Sequence, residues 1–277
     1  MSYREALSQR MVAISISESP DMPVLGLSQR HLLDAMAEIA RHLLALGARL
    51  VYGGDLRTLG FTELLFELVE RHRRDADEGD MRASVLNYLA WPVHIGKSAT
   101  ELEEYMADLS GSAALVLLAL DGRKLMQSER ATLEQARPSD SEWEQGLTAM
   151  REVMLAQTHA RIVLGGRTEE YKGIMPGIAE ETLLSLRAKQ PLFLMGGFGG
   201  CARDVAETLG LNPAWKTSSR LWSGRKSFEA FGSRDLNNGL TAEENVILAQ
   251  TIHIDQAVTL ILRGLLRTEQ LKSQQNI

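Results

Sequence analysis

The chain alternates between short apolar segments and longer segments whose apolar residues recur every three or four positions. The short segments are rich in β-branched and other apolar residues, which predicts strands at 11–17, 49–52, 85–91, 113–120, 160–164 and 191–195. The longer segments have the spacing of helices that bury one face. Because strands that alternate with helices are typical of parallel sheets, we expect an α/β fold. It should contain an open, mostly parallel sheet with helices on both faces.

Three segments give more detailed expectations. The run AALVLLAL at 113–120 is apolar without alternation, which predicts a central strand covered on both faces. Segment 210–240 shows neither period, so we expect a long irregular excursion, and such a length is often functional. Segment 241–268 begins with the capping-box pair Thr241 and Glu244 and predicts one C-terminal helix. Its wide apolar face suggests a homo-oligomer contact, and the whole pattern suggests one domain over residues 1–277.

Composition and charge narrow the class of protein. Hydrophobic residues make up 44% of the chain and charged residues 24%, as is usual for a folded globular protein. The 30 Lys and Arg residues are outnumbered by 36 Asp and Glu residues, and the net charge of −6 makes nucleic acid an unexpected partner. The single Cys201 excludes an internal disulfide framework. Since no apolar run approaches the roughly 18 residues of a membrane span and no signal sequence is present, we expect a cytoplasmic protein without membrane contact.

Glycine pairs end three of the predicted strands. They are Gly53-Gly54, Gly165-Gly166 and Gly196-Gly197, the last followed by Phe198 and by Gly199-Gly200. Glycine turns at the carboxyl ends of parallel strands let backbone N–H groups and helix N-termini face an anionic ligand. The alternative is that each pair only makes a tight turn, but three pairs at equivalent places favour a ligand site. None of them forms a dinucleotide fingerprint or a P-loop, which disfavours a simple dehydrogenase or NTPase.

Basic residues follow the middle glycine pair. Arg167 comes directly after that pair, and Lys172 precedes a second turn that runs from Gly173 to Gly177 and opens a helix. Arginine can bind a phosphate through two parallel hydrogen bonds, whereas lysine acts as a point charge. This segment is therefore our main candidate for contact with a phosphorylated ligand.

Other polar residues near the glycine turns have two interpretations. Glu180 and Glu181 lie in the first turn of the helix after the second turn, where they either stabilise the helix dipole or accept hydrogen bonds from ribose hydroxyls. Asp55 and Arg57 follow the first glycine pair and are candidates for the same ligand. Ser17, at the end of the first strand, either binds a phosphate or caps a turn.

Three motifs together resemble the SLOG superfamily. They are GGDLRTLGFTELLFE, GGRTEEYKGIMPGIAEE and PLFLMGGFGGCARDVAE, and the likeness extends over residues 12–209. This Rossmann-like superfamily includes LOG nucleotide hydrolases, DprA and the nucleotide-sensing domains of TRPM channels. The likeness is greatest to the branch associated with Sir2 and TIR domains, which includes the C-terminal sensor domain of the Thoeris defence effector.

The resemblance implies a sensor of nucleotide-derived signals in a bacterial defence or signalling system. Its ligand would be ADP-ribose or a cyclic ADP-ribose isomer made by a TIR enzyme, and binding would change its assembly. By this resemblance Arg167 and Lys172 contact phosphate, and Glu180 or, less directly, Glu181 corresponds to the glutamate of the following helix. No other cofactor is implied. Because few residues precede Met11, we expect the output to come from a separate effector protein or from sequestration of the ligand.

Two further functions are alternatives. The first is an N-glycosidic hydrolase of the LOG type, in which Glu180 or Glu181 polarises ribose or water. The chain lacks the PGGxGTxxE pattern of these hydrolases, because Arg167 stands where the pattern has a small residue and an insertion precedes Pro176. The second is DNA handling of the DprA type, which the net charge of −6 disfavours.

Aromatic residues, the cysteine and the histidines complete the candidates. In the excursion Trp215, Trp222 and Phe228 alternate with basic residues, so the segment is either a loop held by its aromatics or a lid over an adenine-containing ligand. Cys201 follows the last glycine pair and is either a small packed residue or a thiol whose pKa is lowered at a helix start. The six histidines show no metal-ligand spacing, so we expect no metal site.

Overall fold

The computed structural model describes residues 5–8, 10–54, 60–75, 84–109, 113–214 and 221–275. These residues form one sheet of six strands in which every neighbouring pair is parallel. The strands are β1 (Met11–Ser17), β2 (Arg49–Gly53), β3 (Val85–Leu89), β4 (Ala113–Leu117), β5 (Ala160–Gly165) and β6 (Leu192–Met195). Their order across the sheet is β4-β3-β2-β1-β5-β6.

Ten α-helices within the described residues surround this sheet. They are α1 (Gln29–Ala45), α2 (Phe61–Asp75), α3 (Trp91–His94), α4 (Ala99–Asp108), α5 (Gln127–Ala131), α6 (Asp140–Gln157), α7 (Gly177–Arg187), α8 (Gly200–Thr208), α9 (Ala242–Gln250) and α10 (Ile254–Gln275). The predicted open, Rossmann-like α/β arrangement is thereby confirmed. No helix in this part of the chain has both the length and the apolar character needed to cross a membrane.

The side chains of β1 show how the two faces of the sheet are filled. Val12, Ile14 and Ile16 pack with α1, α2 and α10 on one face, and each is at most 3% exposed. Ala13, which points the other way, belongs to the same buried cluster as Met150 of α6. Burial of one such valine or isoleucine contributes roughly 1.5–3 kcal/mol to stability. The central strand is therefore held firmly from both sides.

The strand order reverses beside β1. From β1 the chain adds β2, β3 and β4 in one direction, and it then places β5 and β6 on the other side. The pairing of β1 with β5 continues to their carboxyl ends, where Ser17 lies opposite Gly165. In open α/β sheets, ligands bind in the crevice outside the carboxyl ends of the strands at such a reversal. The fold therefore brings the middle glycine pair to the position where a ligand is expected.

The strand predicted at the centre of the sheet lies at its edge. Segment 113–120 forms the edge strand β4, which ends at Leu117. The chain then turns back, so that Leu125 N donates to the carbonyl of Leu117 (2.9 Å) and Ala119 N donates to that of Arg123 (2.8 Å). This return covers the outer side of the strand end. The prediction of a central strand was wrong because an apolar run does not by itself require cover on both faces: residues 114–116 of this edge strand are only half-buried.

The segment predicted as one C-terminal helix forms two helices, α9 and α10. Thr251 has an extended backbone (φ −69°, ψ 142°), and its hydroxyl oxygen accepts a hydrogen bond from His253 N (3.1 Å). A local bond of this kind competes with helical bonding and interrupts the helix. After the break, α10 packs on α1 and buries much of its apolar face, namely Ala257, Val258, Ile261 and Leu265. The apolar residues of α10 at these positions are thus covered within the chain itself. The homo-oligomer contact stays a prediction.

Candidate functional site

The turns that follow β1, β5 and β6 pack directly on one another. Gly166 N donates to the carbonyl oxygen of Ser17 (3.1 Å), and Cys201 N donates to that of Gly166 (3.1 Å). Gly200 has a positive φ of 69°, and a Cβ there would lie 2.2 Å from the carbonyl oxygen of Gly166. Because only glycine permits this approach, α8 begins directly against the turn after β5. The middle and last glycine pairs are thus joined at one place next to β1.

A carboxylate occupies the N-terminus of α8. Gly200 N donates to Oδ2 of Asp21 (2.7 Å), and Asp21 is only 5% exposed. Asp21 belongs to the loop after β1, where its own N–H donates to Oγ of Ser19 (3.3 Å). A helix N-terminus favours negative charge because its first N–H groups have no partner within the helix. Asp21 therefore lies where an anion would bind to this end of α8.

The two predicted phosphate contacts lie exposed in the segment after β5. Arg167 forms an ion pair with Glu18, and the two side chains are 43% and 48% exposed. Lys172 Nζ lies 4.3 Å from the centre of the Trp143 ring of α6, in a cation–π contact. Each cation thus has a partner from the protein itself, and the two side chains point to different neighbours.

Glu180, at the start of α7, is buried with both carboxylate oxygens engaged. One oxygen accepts a hydrogen bond from Thr148 Oγ1 (2.5 Å), and the other accepts from the guanidinium of Arg151; both partners belong to α6. The turn before α7 closes over the same guanidinium. A Cβ at Gly177 would lie 2.6 Å from Arg151 Nη2, and one at Gly173 would lie 3.0 Å from Nη1. These two glycines therefore make room for a buried cation.

Glu181 ties the same helix to the sheet. Its Oε2 accepts hydrogen bonds from Arg161 Nη1 of β5 (2.5 Å) and from the hydroxyl of Ser15 in β1, and Arg161 Nε donates to Ser185 Oγ (3.0 Å). Burial lowers the pKa of the Arg161 guanidinium, and the charge of Glu181 opposes that shift. Sequence reasoning missed this cluster, although an arginine inside the apolar strand ARIVLG is a signal for a buried ion pair.

The family model of SLOG cluster2 matches residues 6–248 of the chain. The chain belongs to the SLOG cluster2 family. The match spans all six strands and the place where the glycine turns meet, so it confirms the predicted SLOG superfamily. Membership indicates a nucleotide-related function. No curated protein matches the sequence.

The first glycine pair of this SLOG protein contacts α6 and β3. A Cβ at Gly53 would lie 2.8 Å from the terminal methyl carbon of Met150 in α6. Gly54 N donates to Oδ1 of Asn87 in β3 (3.1 Å). The pair thus has packing reasons to be glycine, and it lies on the strand next to β1. The two candidates that follow this pair lie outside the described residues: Asp55 and Arg57.

The last glycine turn packs on the C-terminal end of α9. A Cβ at Gly197 would lie 2.2 Å from the carbonyl oxygen of Thr251, and one at Gly196 would lie 2.9 Å from that of Ala249. Phe198 is 1% exposed and belongs to the core. In contrast, a Cβ at Gly199 would lie 2.5 Å from Cβ of Asp21. The first half of this turn therefore packs on α9, and its second half faces the loop after β1.

Cys201 serves packing. It is fully buried, and burial raises the pKa of its thiol far above the usual range, so the alternative of a thiol with a lowered pKa was wrong. A Cβ at Gly166 would lie 2.4 Å from the sulfur of Cys201, which confirms the interpretation as a packed small residue. Among the residues the structure describes, no group of three His, Cys, Asp or Glu is placed to hold a metal ion.

The described part of the excursion is held to the domain by its aromatic residues. Trp222 is 8% exposed, and its Nε1 donates to Oδ2 of Asp204 in α8 (2.9 Å). Its ring meets that of Phe228 edge to face, with 5.9 Å between the ring centres. The indole is thus engaged by the protein, which favours the held loop over a lid. Trp215 lies outside the described residues.

A concave surface lies beside β4. This groove of about 810 Å³ is near the carboxyl ends of β3 and β4, and its lining includes Trp91, Arg123 and Glu129. Its volume falls in the range of small-molecule sites. None of the described candidate residues from the sequence lines it. The groove is therefore distinct from the crevice at the strand reversal.

Proposed function

We propose that this SLOG protein binds a phosphorylated nucleotide related to ADP-ribose in the crevice between the carboxyl ends of β1 and β5. The observation that carries the proposal is the coincidence of the strand reversal with two glycine turns, Gly165-Gly166 and Gly199-Gly200, which meet beside Ser17. Of the backbone N–H groups at these turns, that of Gly200 already faces an anion, the carboxylate of Asp21, which supports a place that favours negative charge. Membership of SLOG cluster2 supports a nucleotide as the ligand.

Arg167 is the proposed main phosphate contact. It follows the glycine pair at the end of β5, its side chain is 43% exposed, and its partner Glu18 is equally accessible to solvent. A guanidinium can exchange such a carboxylate for two phosphate oxygens without losing its planar hydrogen-bond geometry. Lys172 supplies a second positive charge once it leaves the Trp143 ring. A ribose contact by Glu180 would require its bond to Thr148 to open.

Binding without hydrolysis is favoured by the state of the two glutamates of α7. Glu180 and Glu181 are buried and hold Arg151 and Arg161, so neither carboxylate is available to activate a water molecule as an N-glycosidic hydrolase requires. We therefore propose a sensor of a nucleotide-derived signal, such as a cyclic ADP-ribose isomer, of the Sir2- and TIR-associated kind used in bacterial defence. Its output would be a change in assembly or an action on a separate effector protein.

Calorimetry of the purified protein against ADP-ribose, NAD, AMP and cyclic ADP-ribose isomers tests this proposal. We expect at least one of them to bind, and Arg167→Ala to weaken binding by roughly tenfold or more. Arg41→Ala is the matched control, because Arg41 also forms an exposed ion pair, with Glu38, three turns away from the crevice end of α1. It should bind like the unchanged protein.

Chromatography of each mixture after the titration separates the outcomes. An intact ligand supports a sensor, whereas a released base shows a hydrolase. Absence of binding by every compound contradicts the nucleotide proposal for these ligands. Equal weakening by Arg167→Ala and Arg41→Ala would contradict the place of the site.

A further inference from the structure

The loop after β1 supplies acidic partners to Arg167 and to the N-terminus of α8. Glu18 pairs with Arg167, and Asp21 accepts the hydrogen bond from Gly200 at the N-terminus of α8. The two acids come from one short stretch, ESPD at 18–21, and the two donors come from the turns after β5 and β6. A ligand phosphate in this crevice would meet the guanidinium of Arg167 and would approach the end of α8 that Asp21 already occupies. The free protein thus already holds negative charge where the ligand would bring its own.

We propose that Glu18 and Asp21 act as an internal anion that competes with the phosphates of the ligand and thereby sets the affinity of the site. This inference rests on the proposed function, because it takes the crevice between β1 and β5 as the nucleotide site. A phosphate that binds Arg167 must displace Glu18, and it must then lie near the charge of Asp21. Both steps oppose binding, so removal of either negative charge strengthens it.

The two acids have different roles in this competition. Glu18 is 48% exposed, so its side chain can turn into solvent when a ligand arrives. Asp21 is 5% exposed and is fixed by Gly200, so it stays in place and keeps phosphate away from the N-terminus of α8. Glu18 is therefore the carboxylate of the internal anion that a ligand can displace. Asp21 is the carboxylate that remains, and it restricts which end of the crevice a phosphate can use.

Two substitutions remove these charges with little change of shape. Glu18→Gln keeps the length of the side chain, and Asp21→Asn keeps an oxygen that can accept the hydrogen bond from Gly200. We expect Glu18→Gln to bind ADP-ribose roughly two- to fivefold more tightly, with the gain shrinking as salt increases. Asp21→Asn should increase the affinity at least as much, because a buried charge is screened less by solvent.

The experiment is calorimetry with ADP-ribose and AMP on the unchanged protein, both variants, the double variant and Glu38→Gln. Glu38→Gln removes an equal charge from the exposed ion pair with Arg41 and controls for net charge. Circular dichroism confirms that each variant is folded. If Asp21→Asn does not fold, the surface variant Glu18→Gln decides alone.

Tighter binding in Glu18→Gln but not in Glu38→Gln supports the internal anion, as does binding seen in the double variant only. Equal or weaker binding in Glu18→Gln and Asp21→Asn overturns it. If binding in that case is still weakened by Arg167→Ala, the inference about the acids fails while the proposed nucleotide site stands. Failure of every folded variant to bind ADP-ribose or AMP overturns both proposals for these ligands.

Discussion

Arg151 of α6 and Glu180 of α7 form an ion pair whose side chains are only 7% and 5% exposed. The Nε atom of the same guanidinium lies 3.8 Å from Glu181, so one cation serves two successive carboxylates of α7. A buried pair of this kind adds little net stability, but loss of one partner leaves an uncompensated charge in a dry environment. The helix that follows the middle glycine turn therefore depends on α6 for its position.

Glu180→Ala should lower the free energy of unfolding by about 3–5 kcal/mol, because it leaves Arg151 buried without its main partner. Urea unfolding followed by circular dichroism measures the change. Arg123→Ala is the control, since it breaks an ion pair with Glu129 whose side chains are 58% and 43% exposed. That variant should lose at most about 1 kcal/mol. Equal losses in the free energy of unfolding of the two variants would contradict the expected dependence of α7 on the buried ion pair.

Gly200→Ala should be far more destabilising than Gly210→Ala. Both glycines have a positive φ, of 69° and 75°, so both alanines suffer a backbone penalty of about 1–2 kcal/mol. A methyl group at Gly210 meets nothing within 4 Å, whereas one at Gly200 would lie 2.2 Å from the carbonyl oxygen of Gly166. Thermal unfolding of the two variants compares the effects. Similar melting temperatures would contradict the close contact between the two glycine turns.

Trp222→Phe should lower stability by about 1–3 kcal/mol, because Asp204 loses the hydrogen bond from the indole N–H. The affinity for ADP-ribose should stay within about twofold of the unchanged protein, since the ring faces Phe228 and α8 and does not cover a ligand. Urea unfolding and calorimetry on the same sample test both statements. Normal stability with clearly weaker binding would instead indicate a lid.

The free energy of unfolding should decrease as the pH is lowered from about 6.5 to about 4, and His94 is the cause. Burial is the main cause that lowers the pKa of His94 to about 4, and its ring accepts a hydrogen bond from Arg130 Nε (3.1 Å). In the unfolded chain the pKa is about 6.5, so over this range the unfolded state binds a proton that the folded state does not. Acid therefore favours unfolding, by about 3 kcal/mol in total from this residue.

Urea unfolding at a series of pH values from 7.5 down to about 4.5 measures the effect of His94. His94→Gln should be less stable at neutral pH and should show a smaller loss on acidification. His42→Gln is the control, because the His42 side chain is 40% exposed. An unchanged slope in His94→Gln would assign the acid sensitivity to other groups.

The strands could be predicted because each one contains a short run of mostly apolar residues that is visible in the sequence. The predicted strand ends were less accurate where neighbouring residues favour the start of a helix. Segment 85–91 forms a strand only to Leu89, because Trp91 and Pro92 begin the short helix α3 and proline suits the first turn of a helix. Position within the sheet was not predictable for β4, since the covering of its edge by the segment after Leu117 depends on the fold.

The glycine turns of the candidate site could be predicted because their pattern is local, but their acidic and basic partners could not. The bond from Gly200 to Asp21 joins residues 179 positions apart, and no short pattern contains both. The same holds for Arg161 and Ser15, which meet only because β5 pairs with β1. Sequence reasoning therefore found the glycine turns and the charged residues next to them, and missed the partners Glu18, Arg151 and Arg161 that distant parts of the chain supply.

The close approach of Thr251 to Gly197 joins the C-terminal helices to the last glycine turn. The junction of α9 and α10 rests on the turn after β6, so that turn cannot shift without moving the junction. From there α10 extends for 22 residues, or about 33 Å, and its residues beyond Leu265 reach an exposed Leu271. Any side chain larger than glycine at Gly197 would therefore press on the junction from which α10 starts. The identity of one residue in the last glycine turn thus bears on how the C-terminal helix is seated on α1.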